Sequence, residues 1–125
     1  MNLLLDTHVL LWWLADDASL SEHARNAIIE NSNIVFVSAA TIWEIVIKKG
    51  LGKLTIPGDL QGALSENYFQ SLPVTARHAF AVGKLPRIHQ DPFDRMLIAQ
   101  TKEEKLTLIT RDQEIQKYRI PFIGA

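Results

Sequence analysis

The chain has 125 residues, 47% hydrophobic and 22% charged, the size and balance of one globular domain rather than a disordered or fibrous protein. It contains no cysteine, so a disulfide scaffold, a thiolate zinc site and a cysteine nucleophile are all excluded. The formal net charge of −1 gives no global pull toward a polyanion, so any nucleic-acid site must be a local patch.

The start, Met1–Asp6, has no positive region and no apolar stretch of signal-peptide length. No run approaches the roughly 20 apolar residues of a membrane span. A cytoplasmic protein with no membrane partner is expected. Asn2–Leu5 reads as a short strand buried on both faces, because its apolar run is continuous. Thr7–Ala15 is expected to be helical. Ser19-Leu20-Ser21-Glu22 has the spacing of a capping box between Ser19 and Glu22, opening a second helix that runs to about Asn31. Ile34–Val37 is a second strand. Ser38 then caps a third helix that stops near Gly50 or Gly52, with Ile42, Ile45 and Val46 packing on the sheet.

Leu51–Pro57 is expected to be a loop, followed by a helix within Leu60–Phe69. Leu72–Val74 is a strand candidate, Thr75–Val82 a short helix and Lys84–Gln90 a loop. Asp91-Pro92 is a helix-start signal, with Asp at the cap and Pro in the first turn, and that helix runs to about Glu104. Thr107–Thr110 is a strand, Asp112–Lys117 a helical turn and Pro121–Ile123 a closing strand. Strands alternating with helices predict an α/β fold, a parallel sheet covered on both faces. Ligands bind such sheets beyond the carboxyl ends of the strands, where Asp6 and Asp112 both fall.

Four carboxylates stand at the ends of apolar runs or inside one: Asp6, Glu44, Asp94 and Asp112. An acid in such surroundings must be paired, protonated or bound to a cation. Three have simple structural uses, Asp6 and Asp112 as caps and Asp94 in a first helical turn, where the free N–H groups favour a carboxylate. Glu44 lies past the reach of Ser38 capping, within Thr41-Ile42-Trp43-Glu44-Ile45-Val46-Ile47. Its choices are a solvated stripe or an ion pair with Lys48, four residues on, or else an inward-facing role. If the four converge they repel one another, and Mg2+ or Mn2+ is the natural remedy: a hard cation for oxygen ligands. Asp91 reads as a cap first and a ligand second. His8 and His89 are not required for such a site, and His23 and His78 read as surface residues.

Leu4-Leu5-Asp6-Thr7-His8-Val9-Leu10-Leu11-Trp12, Ser38–Ile45, His89-Gln90-Asp91-Pro92-Phe93-Asp94-Arg95 through Gln100, and Leu108-Ile109-Thr110-Arg111-Asp112 together resemble the PIN-domain nucleases, and among them the VapC-type toxins. The likeness spans essentially residues 1–125, taken as a single PIN domain. It implies a three-layer α/β/α sandwich with a mainly parallel central sheet. It also implies a Mg2+- or Mn2+-dependent endoribonuclease that forms a homodimer and is neutralised by a small antitoxin. The family's acidic quartet falls on Asp6, Glu44, Asp94 and Asp112 as catalytic and metal-binding residues, with Asp91 and Thr110 as additional possible ligands.

An ion held there lowers the pKa of water for attack on a bridging phosphate, and the expected products are a 5′-phosphate and a 3′-hydroxyl. Glu44 or Asp94 is expected to help remove the proton. RNA approaching an acidic pocket needs a basic rim, for which Lys48, Lys49 and Lys53 after the Glu44 helix, and Arg87, His89 and Arg95 flanking Asp91 and Asp94, are candidates, Arg95 first; the same residues suit an antitoxin. One of Trp12 and Trp13 is expected at an interface. Two other classes remain open: a non-catalytic PIN-like binding module, and a Mg2+-dependent phosphotransfer domain. The latter would want the adjacent acidic pair of receivers or the Asp-x-Asp of phosphatases, and Asp6-Thr7-His8 offers neither.

Overall fold

The first strand explains its own composition. Asn2–Leu5 (β1) lies in the middle of a sheet, and Leu3, Leu4 and Leu5 are all fully buried. The computed structural model describes residues 1–56 and 58–125. After β1 the order is Thr7–Leu14 (α1), Glu22–Ile29 (α2), Ile34–Ser38 (β2), Ala39–Gly50 (α3), Leu60–Glu66 (α4) and Gln70–Leu72 (β3). Then come Ala76–Val82 (α5), Pro92–Glu103 (α6), Thr107–Thr110 (β4), Gln113–Gln116 (α7) and Phe122–Gly124 (β5). The sheet runs β3-β2-β1-β4-β5, and every neighbouring pair is parallel.

Alternation along the strands divides the core in two. Leu3, Leu5, Val35, Val37 and Ile109 enter one half with Leu10, Ile28 and Ile45 from α1, α2 and α3. Leu4 and Leu108 point the other way, against Leu97 and Ile98 of α6 and Ile115 of α7. The result is a three-layer α/β/α sandwich, as expected from the alternating elements. No helix among the described residues is long and apolar enough to cross a membrane.

The chain steps outward from β1 through β2 to β3, then returns to the other side of β1 for β4 and β5. The winding therefore reverses between β1 and β4, which opens a crevice at their carboxyl ends. Leu5 pairs with Ile109, so the next residues, Asp6 and Thr110, are neighbours across that crevice.

Four local expectations are corrected. Ser21, not Ser19, caps α2: its hydroxyl accepts from Ala24 N–H, while Ser19 N–H is taken by Asp17 Oδ1 in the preceding turn. The strand expected at Leu72–Val74 is Gln70–Leu72, because Pro73 has no N–H to continue the ladder. For the same reason the last strand begins after Pro121, at Phe122. Val46 faces solvent at 58% exposure, since the inward faces of α3 are taken by Thr41, Glu44 and Ile45. The end of α3 is as expected: Gly52 turns the chain at φ +72°. The loop expected over Leu51–Pro57 is present as far as Ile56, and Pro57 lies outside the described residues.

His78 is a fifth correction, because it is 1% exposed rather than on the surface. Thr75 caps α5 by accepting from His78 N–H, and His78 Nδ1 accepts from Thr75 N–H in return. The other ring nitrogen meets Glu104 at 2.9 Å. The Thr-x-x-His spacing carried that signal, with His in the place Glu or Gln usually takes.

Candidate metal centre

Asp6 follows β1 directly and caps α1, accepting from Val9 N–H at 2.8 Å through Oδ1. The register of β1 and β4 brings Thr110 beside it, and the Thr110 hydroxyl donates to Asp6 Oδ2 at 2.5 Å. The carboxyl is 4% exposed, and burial holds its pKa above the ordinary value despite both bonds. Its capping role and its inward placement are thus the same geometry.

Glu44 is 5% exposed, on the face of α3 that looks toward α1 and α6. Two oxygens take two partners: the Thr7 hydroxyl donates to Oε1 at 2.7 Å, and Lys48 Nζ donates to Oε2 at 2.6 Å. Thr41, three residues earlier on the same helical face, stands 3.2 Å from the Thr7 hydroxyl. Both sequence alternatives for Glu44 hold together, since the carboxylate is inward and also paired with Lys48. The Lys48 ammonium holds its proton more firmly than usual, through that hydrogen bond first and then through the charges of Glu44, Asp91 and Asp94.

Asp94 sits in the first turn of α6, whose cap is Asp91. Asp91 Oδ1 accepts from the N–H groups of Phe93 and Asp94, at 2.9 and 3.0 Å. Burial first, and then the charges of Asp91, Asp6, Asp112 and Glu44, push the Asp94 carboxyl up to about 7. Asp112 caps α7 by accepting from Glu114 N–H, and its own N–H donates to Thr110 Oγ1. Asp112, like Asp91, faces solvent. The end of β1, the middle of α3 and the starts of α6 and α7 thus bring Asp6, Glu44, Asp91 and Asp112 close enough for Asp94 to feel the charge of each.

That donor set suits a hard divalent cation: carboxylate and hydroxyl oxygens, with Lys48 supplying positive charge at Glu44. In this geometry Glu44 is drawn to Thr7 and Lys48, and among the described residues no three carboxylate or imidazole groups close on one point. A neutral or apolar ligand finds little to match here, whereas a cation offsets both the burial and the repulsion that raise Asp94.

The basic rim is only partly as expected. Lys48 is committed to Glu44, and Lys49 and Lys53 are exposed. Arg95, the first candidate for an RNA contact, turns away from the acids. Its guanidinium donates to the carbonyls of Pro86, Val82 and His89 and to the Tyr118 hydroxyl, fastening the loop before α6. His89, which the sequence did not require as a ligand, stands 3.5 Å from Asp94. Thr7 and Thr41 were also missed; Asp-Thr at a strand end and a Thr three residues before Glu44 were the available signals.

Both tryptophans of α1 are largely absorbed by the fold. Trp13 Nε1 donates to Asn67 Oδ1 and its ring meets Phe69, while the Arg111 guanidinium lies 4.3 Å over the Trp12 ring. The tryptophan left most open is Trp43, 63% exposed and edge-on to Phe93.

Comparison with known proteins places this geometry in a family context. The profile described as PIN domain matches residues 3–121. A relative named Ribonuclease VapC22, from Mycobacterium tuberculosis, is 27% identical over 123 residues, covering 96% of this chain and 94% of the relative. The crystal structure of VapBC2 from Rickettsia felis, bound to a DNA fragment from their promoter, contains a similar chain with a TM-score of 0.75 at 15% identity. The match covers 99% of this chain and 98% of that one. VapBC-5 from Mycobacterium tuberculosis, a member of the VapBC family of toxin-antitoxin systems, gives a TM-score of 0.61 at 17% identity over 99% and 98% of the two chains.

Proposed function

We propose, from the premise that the chain belongs to the PIN-domain family, that it is a Mg2+- or Mn2+-dependent endoribonuclease acting as the toxin of a toxin–antitoxin pair. The observation that carries the reading is the state of Asp94, a carboxyl raised to about 7 by burial and by the charges of Asp91, Asp6, Asp112 and Glu44. Acids from four separated parts of the sequence have been brought to one strand-end crevice at an energetic cost, and a bound cation removes that cost.

Asp6, Glu44, Asp94 and Asp112 would hold the ion, with Asp91 and Thr110 beside them. Such an ion supplies Lewis acidity, lowering the pKa of water and offsetting the charge that gathers on a phosphate under attack. The chain's own residues do the rest. Val9 N–H and the Thr110 hydroxyl fix the rotamer of Asp6, and Thr7 fixes that of Glu44. Glu44 and Asp94 are the two carboxylates proposed to take up the proton of the attacking water. Lys48, reaching the rim from Glu44, meets an RNA phosphate there, and Lys49 extends the contact.

The antitoxin and a second copy of this chain are its proposed protein partners. Supporting this are the toxin-antitoxin system to which VapBC-5 belongs and the open apolar face of Trp43, Val46 and Ile47 on α3. The assay is purified protein on total RNA with Mn2+, with excess EDTA, and with Asp6→Asn in place of wild type. Cleavage is expected with Mn2+ alone, giving 5′-phosphate ends. Undiminished cleavage in EDTA or by Asp6→Asn contradicts the reading.

A further inference from the structure

His89 ends the loop that Arg95 fastens, and its ring meets that of Tyr118 edge-on with centroids 5.3 Å apart. Counting donors at the Tyr118 hydroxyl fixes which ring nitrogen carries hydrogen. The hydroxyl oxygen accepts from the His89 backbone N–H at 3.2 Å and from the Arg95 guanidinium at 3.0 Å. Neither of those groups can accept in return, so the hydroxyl proton must go elsewhere. His89 Nδ1 lies 2.7 Å away and the His89 carbonyl oxygen 3.4 Å away. The shorter contact takes the proton, Nδ1 is the acceptor, and the ring hydrogen sits on Nε2.

That Nε2 atom is buried and has no hydrogen-bond partner among the described residues, yet it stands 3.5 Å from Asp94 Oδ2. A buried donor without a partner is rare, and a carboxylate a few tenths of an ångström beyond bonding distance is its evident target. Arg95 is itself held by the Pro86 and Val82 carbonyls, so the row Arg95, Tyr118, His89, Asp94 is anchored at its far end.

We propose that His89 is a positioning residue for Asp94: its Nε2–H, oriented by the Tyr118 hydroxyl and Arg95, holds Asp94 Oδ2 and so turns Oδ1 toward the acidic crevice. A donor of this kind behind a ligating carboxylate sets the direction and basicity of the oxygen that faces the cation. The proposal rests on the metal reading of the acids given above and adds a residue to it.

Two measurements test it. In metal-free, 15N-labelled protein, the long-range 1H–15N spectrum of the His89 ring is expected to show the hydrogen on Nε2. Tyr118→Phe, which keeps the ring but removes the hydroxyl, is expected to weaken that preference, leaving Asp94 alone to maintain it. In calorimetric titration with Mn2+, His89→Ala is expected to bind about 10–100-fold more weakly than wild type, and His89→Gln, which keeps a donor at similar reach, to recover most of the loss. Circular dichroism shows which variants are folded, and His89→Gln and Tyr118→Phe carry the test if His89→Ala is not. Hydrogen on Nδ1 in wild type, or wild-type Mn2+ affinity in both His89 variants, overturns the role of His89 alone. Failure of wild type itself to bind Mn2+ overturns the metal reading and the proposal with it.

Discussion

Glu44→Gln is expected to leave a folded protein whose RNA cleavage is lower on the order of a thousandfold. Gln keeps the shape of Glu and can still accept from the Thr7 hydroxyl, as Glu44 Oε1 does. The change removes one negative charge from the crevice and the partner of Lys48. Lys48 is 43% exposed in its side chain, so its ammonium can turn to water, and stability should shift by no more than roughly 1 kcal/mol. Loss of a carboxylate that holds the cation removes several kcal/mol of transition-state stabilisation, at tenfold in rate for each ~1.4 kcal/mol. Lys48→Met is the companion variant. If Glu44 served only to pair with Lys48, the two changes would be equivalent. The account instead expects Glu44→Gln to act on kcat and Lys48→Met mainly on KM, through lost RNA contact. Kinetics on a short fluorogenic RNA with Mn2+ separate these outcomes, and equal, small effects would count against the assignment of Glu44.

Asp94→Asn is expected to raise the stability of the metal-free protein at pH 8 while abolishing cleavage. The sign follows from the Asp94 carboxyl, which stands at about 7 in the folded chain against 3.8 as its reference. A group whose folded pKa is raised binds its proton more tightly in the native state than in the unfolded one. Its contribution to stability is therefore complete below about pH 4 and is lost as pH rises through 7. At pH 8 the ionised carboxylate is held in place at a cost of roughly 2–4 kcal/mol, using ~1.4 kcal/mol for each tenfold change in proton affinity. Asn removes that cost, which for a domain of this size corresponds to an upward shift in Tm of about 10 °C. Asp6, also raised by burial, adds to the same trend in the wild type. With Mn2+ present the order should invert: wild type gains stability by mass action and Asp94→Asn does not. Thermal melts at pH 4, 6 and 8, with and without Mn2+, decide it. A wild type that grows steadily more stable from pH 4 to 8 without metal would show that the Asp94 carboxyl is not raised in the folded chain.

The sequence was most legible where local chemistry and the fold agree. The continuous apolar run of β1 required cover on both faces, and Asp91-Pro92 named the start of α6 to the residue. The acids were legible because carboxylates at strand ends in an α/β chain fall on the side where ligands bind. Glu44 stood out because it lies past the reach of a cap inside an apolar run, and it is 5% exposed while also paired with Lys48.

What the sequence hid depended on partners far along the chain. Arg95 beside Asp94 reads as a rim cation until the Val82 and Pro86 carbonyls and the Tyr118 hydroxyl are seen to hold it. His89 takes its ring partner from Tyr118, and the second ring nitrogen of His78 meets Glu104, each more than 20 residues away. Strand edges shifted by one or two residues where Pro73 and Pro121 interrupt the ladder, a backbone effect that hydrophobic patterning does not register.

The most direct test of the shared cation is a crystal grown with MnCl2 and measured for anomalous scattering from manganese. The account predicts one peak or a close pair at the carboxyl ends of β1 and β4, within about 2.5 Å of carboxylate oxygens from at least Asp6 and Asp94. It also predicts that Glu44 leaves Lys48 to face the ion directly or through water. A map with manganese elsewhere on the protein, or with none at this crevice at saturating MnCl2, would contradict it.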